Sequence, residues 1–282
     1  MKPQNVKYAL GGVANETYEA SVAVRAMERA GLCPQLKGHV HEIMFCDQYN
    51  LANALKGNVS NLTKSATAKM KDVIATNSEG RIVMHAQLKD TISRSGVQKT
   101  AKQILGGKYN KTGALGTKET AREVNRVLDK VGKTNQRMRS TGISSNTTSR
   151  IANRGLGRMP TLANLGNAAK SGGLAGAAVS GTIEAVSSIY DVAKGKKEWD
   201  DALIDVAGAA AKGGVTGAGS SVAGSLAAGA AGTAVAALST TTVGAAVAGT
   251  AGGAIALGLA PLAVGIGAAF MAGSAISSFL DS

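Results

Sequence analysis

The chain has 282 residues, 44% of them apolar and only 3% aromatic, and its formal net charge is +13. Two cysteines are too few for a disulfide scaffold, and no apolar run of signal-peptide length follows Met1, so we expect a reducing compartment and no cleavable signal peptide. The charge is uneven, because residues 1–172 hold 27 Lys and Arg against 11 Asp and Glu, whereas residues 213–280 hold no charged side chain.

Two helices are predicted before the first strand. The first covers Asn15–Ala30, with Asn15 as its cap and Gly31 as its stop. The second covers about Val40–Leu55 and ends at Gly57. A polar stretch, residues 58–68, follows before the first clear strand signal.

A β-hairpin is predicted next. Asp72–Thr76 and Arg81–Lys89 alternate in the manner of strands, and Asn77–Gly80 between them has the composition of a turn. If this four-residue loop places Thr76 opposite Arg81, Asp72–Thr76 pairs with Arg81–His85.

In that register four polar side chains share one face of the hairpin. Asp72 lies opposite His85 and diagonal to Gln87, and Lys89 follows on the same face because side chains alternate along a strand. The face therefore brings together groups that can converge on one ion or phosphate.

The remaining elements complete a mixed α/β domain over residues 1–132. A helix capped by Ser95 runs to Leu105, Tyr109–Leu115 is predicted to be a strand, and Thr117 caps an amphipathic helix that stops at Gly132. The order of helix, helix, strand, strand, helix, strand and helix indicates a small mixed sheet covered by helices.

An Asp that opens one strand, a Gln-x-Lys near the end of the next and a helical Glu upstream resemble the PD-(D/E)XK nuclease superfamily. The pattern stands here as Glu42, Asp72, Gln87 and Lys89, within residues 38–115. The resemblance implies hydrolysis of phosphodiesters with Mg²⁺ or Mn²⁺. It implies that Asp72, Gln87 and Glu42 bind the metal, Glu42 directly or through water, and that Lys89 orients or deprotonates the attacking water.

Two residues depart from the family pattern, since Lys71 replaces a proline before the Asp and Gln87 replaces an acid. His85, on the same predicted face, is a candidate for contacting phosphate or donating a proton. The alternative interpretation is an ordinary hairpin in which Asp72 and Lys89 form a surface ion pair.

A second candidate site is a set of four potential zinc ligands within 14 residues, Cys33, His39, His41 and Cys46. Their spacing is not a recognised zinc-finger pattern. We favour the interpretation that the thiols pack in a core and the histidines lie at the surface.

Residues 133–173 are predicted to be a flexible cationic linker. They combine many Ser, Thr, Asn and Gly with seven cations and no acid; the cations are Lys133, Arg137, Arg139, Arg150, Arg154, Arg158 and Lys170. Such a segment can lie along nucleic-acid phosphates or an anionic lipid surface.

Residues 174–282 are predicted to form an all-α domain rich in Gly and Ala. Its charge-free run is long enough for two membrane passes, about Val222–Leu238 and Val243–Met271. Spacings such as Gly213-x3-Gly217 permit close helix contact, and the run resembles the glycine-zipper hairpins of membrane-inserting bacterial toxins and effectors. The alternative is a soluble Ala/Gly hairpin packed against itself or another chain.

Together these patterns predict an α/β nuclease-like domain followed by a helical hairpin that associates with a membrane through residues 213–280 and faces the cytoplasm. The expected function is a metal-dependent nuclease acting on DNA or RNA in phage defence, or as a phage-encoded or interbacterial toxin, with an immunity protein or a second copy as candidate partners. The alternative is a non-enzymatic basic module that binds nucleic acid or lipid and carries a pore-forming, anchoring or assembly tail.

Overall fold

The structure is a computed structural model that describes residues 3–31, 33, 35–63, 71–133, 135–194, 196–239, 272 and 276. The chain forms two compact units, one of residues 22–152 and the other of residues 1–21 with 153–282. The first unit holds a mixed α/β fold and the second is helical. The boundaries differ from the predicted ones at residues 132 and 173, because later residues complete the sheet unit.

The elements that build the sheet unit are short and alternate in type. Their bounds are α1 Pro3–Ala30, whose last third belongs to this unit, α2 Leu36–Asn53, a 3-10 turn at Ala54–Lys56, β1 Val59–Leu62, β2 Val73–Thr76, β3 Ile82–Lys89, α3 Arg94–Leu105, β4 Gly113–Gly116, α4 Lys118–Lys130, β5 Arg139–Ser140 and the first turns of α5 Ser145–Gly155.

The five strands form one sheet in the order β1-β2-β3-β4-β5. The first three are antiparallel, and β4 and β5 continue the sheet as parallel neighbours. The predicted mixed sheet is confirmed at this level, with two further strands that the sequence pattern did not predict, β1 and β5.

The register of the β2–β3 hairpin differs from the predicted one. Ile74 pairs with His85, so Asp72, which precedes β2, lies next to Gln87 instead of opposite His85. The cause is local, since Asn77 closes the turn by bonding to Arg81, and a bulge follows between Ala75 and Thr76. The displacement is even, so the predicted face is preserved.

Polar side chains explain why β1 gives no strand signal in the sequence. Ser60 and Asn61 occupy its centre, and the Asn50 amide accepts from Ser60 N at 2.6 Å and donates to Ser60 O at 3.2 Å. A side chain of α2 thus takes the place of a neighbouring strand at this position.

One of the three predicted helix caps is confirmed, and the predicted cap Asn15 lies inside α1, which begins at Pro3. The Thr117 hydroxyl accepts from Thr120 N at 3.3 Å at the start of α4, as predicted. At the start of α3 the cap is Ser93, which accepts from Gly96 N at 3.2 Å, so the helix begins slightly earlier than a Ser95 cap would allow.

Apolar side chains form two clusters within the sheet unit. The first joins α2 to the sheet through Cys46, Val73, Ala86, Leu88 and Leu115. The second joins α3 and α4 through Val97, Ala101, Ile104, Tyr109, Ala121, Val124, Leu128 and Met138. Ala86 and Leu88 face the first cluster, so the alternating residues of β3 point to the other face.

Residues 135–152 differ from the flexible linker that was predicted for them. Met138 is buried, and its backbone N–H and C=O both bond to the Asn125 amide at 2.9 Å. The buried Asp90 carboxylate accepts from the hydroxyls of Ser145 and Thr148 in α5. These contacts order the segment because they satisfy polar groups that composition alone suggests would be solvated.

The helical unit is built around α6 Leu162–Ala193 and α7 Trp199–Ser239. A buried ion pair also belongs to it, since the Arg154 guanidinium lies 2.6 Å from the Glu16 carboxylate and donates to Ser225 Oγ at 2.8 Å. Arg154 was predicted to be a linker cation, and here it instead joins α1, α5 and α7.

The predicted membrane passes fall on two different parts of the chain. Residues 222–238 lie within α7, and residues 243–271 lie outside the described residues. Among the helices that the structure describes, none has a stretch long and apolar enough to cross a bilayer.

Candidate functional site

Asp72 and Gln87 form the centre of the candidate site. Gln87 Nε2 donates to Asp72 Oδ2 at 2.5 Å, and the backbone N–H of Leu88 donates to the same oxygen at 2.7 Å. Both donors bind Oδ2, which leaves Oδ1 outside this pair of hydrogen bonds. Because Nε2 of Gln87 faces the carboxylate, its Oε1 is the atom that can coordinate a cation.

The surroundings of Asp72 oppose its ionisation. Burial, together with the nearby charge of Glu42, raises the pKa of Asp72 to about 6, although the Leu88 hydrogen bond, Lys89 and His39 act in the opposite direction. A second negative charge beside Asp72 favours the binding of a cation, because the cation offsets the repulsion between the two carboxylates.

Glu42 reaches the site from α2 and is itself flanked by cations. Its Oε2 lies 3.6 Å from Arg29 Nε and 3.4 Å from His39 Nδ1, and its side chain is 12% exposed. His39 lies one helical turn before Glu42, so the two share a face of α2. The sequence therefore placed Glu42 correctly on a helix, and the fold brings its charge to Asp72 and Lys89.

Lys89 lies two residues beyond Gln87 on β3 and is partly buried. Burial lowers the pKa of Lys89, Asp72 raises it, and the neighbouring cations Lys108 and Lys99 lower it further. The Lys89 amine therefore gives up its proton more readily than the amine of a solvated lysine, and the cations Lys99 and Lys108 lie near it.

His85 occupies a different place from the one predicted. It pairs with Ile74 in the sheet and is half-buried, two residues before Gln87 on β3. Asp72 interacts with Gln87 and Leu88 instead. His85 shares the face of Gln87 and Lys89. Gln87 takes the place next to Asp72 that the predicted register gave to His85, so His85 lies two residues farther from Asp72 along β3.

Sequence reasoning missed His39 and Tyr109 as members of this neighbourhood. The charge of His39 reaches Asp72, and the Asp72 charge, after burial, raises the pKa of Tyr109. For His39 the signal was available, because an i, i+3 spacing to Glu42 on one helix is visible in the sequence. Tyr109 lies in the connection between α3 and β4, far from Asp72 in the sequence, so no short spacing between the two residues indicates their proximity.

The donor set fits a hard divalent cation. Mg²⁺ takes one or two protein carboxylates and keeps several waters, and here Asp72 and Glu42 offer carboxylate oxygens while Gln87 offers a carbonyl oxygen. No cluster of three or more His, Cys, Asp or Glu side chains within the described part of the chain has a metal-binding arrangement.

The alternative zinc set does not assemble. Cys46 packs in the core beneath the sheet, and burial raises the pKa of its thiol to about 11. His41 is fully buried and its Nε2 contacts Thr141 Oγ1 at 2.9 Å, whereas His39 faces Glu42. The prediction that both thiols pack in a core is confirmed for Cys46 but not for Cys33, which is only partly buried. The prediction that both histidines lie at the surface is wrong for His41.

No family model matches the chain, and searches of curated proteins and of solved structures also returned no match. The interpretation of the site therefore depends on its own geometry and electrostatics.

Proposed function

We propose that the chain is a metal-dependent nuclease whose site consists of Asp72, Gln87, Glu42 and Lys89. The observation that carries the proposal is the Asp72 carboxylate. It accepts hydrogen bonds from Gln87 and Leu88, has a pKa raised to about 6, and lies within reach of the charges of Glu42 and Lys89. An ordinary surface ion pair would need none of this burial.

The residues divide the chemistry between them. Asp72, Gln87 and Glu42 would hold a divalent cation, which would stabilise negative charge on a phosphate and favour hydroxide formation. Lys89, with its pKa lowered, orients the attacking water or removes its proton. His85, on the same face of β3, contacts a neighbouring phosphate. The basic surroundings attract a polyanion such as DNA or RNA.

The direct test uses the purified full chain with single-stranded and duplex DNA and RNA, in the presence of Mg²⁺, Mn²⁺ or a chelator. We expect metal-dependent cleavage of at least one substrate. Asp72→Asn and Lys89→Gln should each lower the rate by about 100-fold or more, because each removes a group acting on the reacting phosphate or water.

Glu79→Gln is the matched control, since Glu79 lies in the turn of the same hairpin with a side chain that is 62% exposed. Its activity should equal that of the wild type. Cleavage that persists in the chelator, or that survives in both site variants, would contradict the proposal.

The rival function is a non-enzymatic basic module that binds nucleic acid or lipid. It predicts binding without cleavage and no dependence on Asp72. Calorimetric titration with Mn²⁺ separates the two, because only the nuclease proposal requires a cation site that Asp72→Asn weakens.

A further inference from the structure

A cleft of about 440 Å³ opens where β4 begins and where the chain enters β5. Its polar lining includes Lys111 and Arg139 together with the carboxamides of Asn110, Asn135 and Gln136. Lys111 and Arg139 are both exposed. Acidic side chains do not contribute to this lining among the described residues. The cleft therefore presents positive charge and hydrogen-bonding groups to one space.

The sheet joins this cleft to the candidate site. Gly113 and Ala114 line the cleft and pair with Ala86 and Gln87 of β3. A Cβ at Gly113 would lie 3.1 Å from Arg139 Nη2, so the guanidinium packs closely on this strand position. The Arg139 guanidinium thus lies over Gly113, the β4 residue that pairs with Ala86 of β3.

Tyr109 gives a second connection between the two places. Its ring belongs to the core under α3 and α4 and also lines the cleft, and its hydroxyl donates to Gln103 Oε1 at 2.6 Å. The Asp72 charge reaches the same side chain. Tyr109 therefore belongs both to the lining of the cleft and to the surroundings of Asp72.

The chemistry of the lining indicates a nucleic-acid strand. Lysine and arginine bind backbone phosphates through charge, and arginine can do so with two parallel hydrogen bonds. Asn and Gln carboxamides carry both a donor and an acceptor, which matches the edges of unpaired bases. A lipid headgroup would use the cations but would leave the three carboxamides without a role.

We infer that this cleft is a subsite for a single nucleic-acid strand, in which Lys111 and Arg139 bind a backbone phosphate next to the cleavage position. Its role beside a cleavage position rests on the proposed nuclease function. Binding itself requires neither the metal nor Asp72.

The test measures binding without cleavage. The Asp72→Asn full chain is titrated in a chelator against a fluorescent single-stranded DNA of about 12 nucleotides, with anisotropy as the readout. Adding K111Q and R139Q should weaken binding about tenfold and lower the salt slope by about 0.7, because the contact with one backbone phosphate is lost. The matched control adds R122Q and K130Q, which remove the same charge from exposed positions on α4 that do not line the cleft.

Three outcomes decide the inference. A selective loss in the K111Q/R139Q variant supports it, even if the wild type cleaves nothing, in which case the nuclease proposal alone fails. An equal loss in both variants overturns it, whether or not the wild type cleaves. Binding to phosphatidylglycerol vesicles that falls in the K111Q/R139Q variant, with unchanged binding to the oligonucleotide, would overturn it in favour of a lipid site.

Discussion

The ionised form of Asp72 lowers the stability of the folded protein. Its carboxylate is partly buried near Glu42, and its pKa of about 6 means that the folded protein holds the ionised form unfavourably at neutral pH. Such a group persists where a function needs it, because sites that bind or react commonly reduce stability.

Replacing Asp72 by Asn should therefore stabilise the protein at neutral pH by about 1–2 kcal/mol, after allowance for partial solvent screening. Asn retains an oxygen that can accept from Gln87 and Leu88. The stability of the wild type rises as pH falls through about 6 towards the ordinary aspartate pKa of 3.8, since the folded state binds a proton there, and the variant's advantage should disappear. Urea unfolding at several pH values measures this, and a destabilised variant at neutral pH would contradict it.

His41 should give the opposite pH dependence, with stability that falls as pH falls. Burial lowers its pKa from 6.5 to about 4, against the attraction of Asp90 and together with the charge of Lys37. As pH falls, the His41 ring takes up a proton in the unfolded chain before it does so in the folded chain. The stability contributed by neutral His41 is therefore complete above pH 6.5 and is lost as pH falls to about 4.

The loss should amount to about 2–3 kcal/mol. His41→Gln, which can keep the contact with Thr141, should flatten the pH dependence of unfolding over that range. An unchanged pH profile in the variant would show that His41 is not the titrating group.

At the scale of elements, the α6–α7 pair shows why glycine is abundant here. A Cβ at Gly176 would lie 2.0 Å from Gly213 O, and a Cβ at Gly217 would lie 2.2 Å from Gly172 O. Small residues repeat every fourth position on both helices, so the two backbones approach closely along antiparallel directions. The predicted close contact at Gly213 and Gly217 is made with α6, an element that lies before α7 in the chain.

Gly176→Ala should consequently destabilise the helical unit by about 1–3 kcal/mol, because the methyl group forces the two backbones apart. Gly208→Ala is the control on the same helix pair, since a Cβ there meets nothing within 4 Å. The control should be neutral or more stable by up to about 1 kcal/mol, because alanine favours helix. Hydrogen exchange of the α6 and α7 amides measures both, and equal protection in the two variants would contradict the packing argument.

The whole molecule combines a basic sheet unit with a charge-free C-terminal run. Residues 213–280 contain no charged side chain. Within this run Ile276 packs against Gly219 of α7, since a Cβ added at Gly219 would lie 2.2 Å from Ile276 Cδ1. Membrane association through this run remains a prediction, as does the alternative of a packed Ala/Gly hairpin. Salt dependence separates an apolar attachment from an electrostatic one.

The full chain bound to anionic vesicles should resist a high-salt wash, because burial of apolar surface does not depend on ionic strength. A chain truncated after Ser239 keeps α7 and its glycine contacts but loses most of the uncharged run, and it should be released by salt. Flotation of the vesicles measures the bound fraction. Release of the full chain by salt would assign attachment to the cations, and a full chain that never binds would favour the packed hairpin.

The sequence by itself determined the features that depend on near neighbours. Strand alternation placed Gln87 and Lys89 on one face, the side-chain cap placed the start of α4 at Thr117, and the missing charge separated the tail from the rest of the chain. These features follow from spacings within a few residues, which the backbone geometry of helices and strands converts directly into positions.

Only the tertiary structure decided what depends on distant residues. The hairpin register required the Asn77 turn and the bulge, and β1 required the amide of Asn50. The approach of Glu42 to Asp72, and the choice of α6 as the partner of α7, depend on how whole elements pack. A polar side chain carries no local sign of the buried partner that it will meet, and therefore the sequence named the residues of the candidate site but not their geometry.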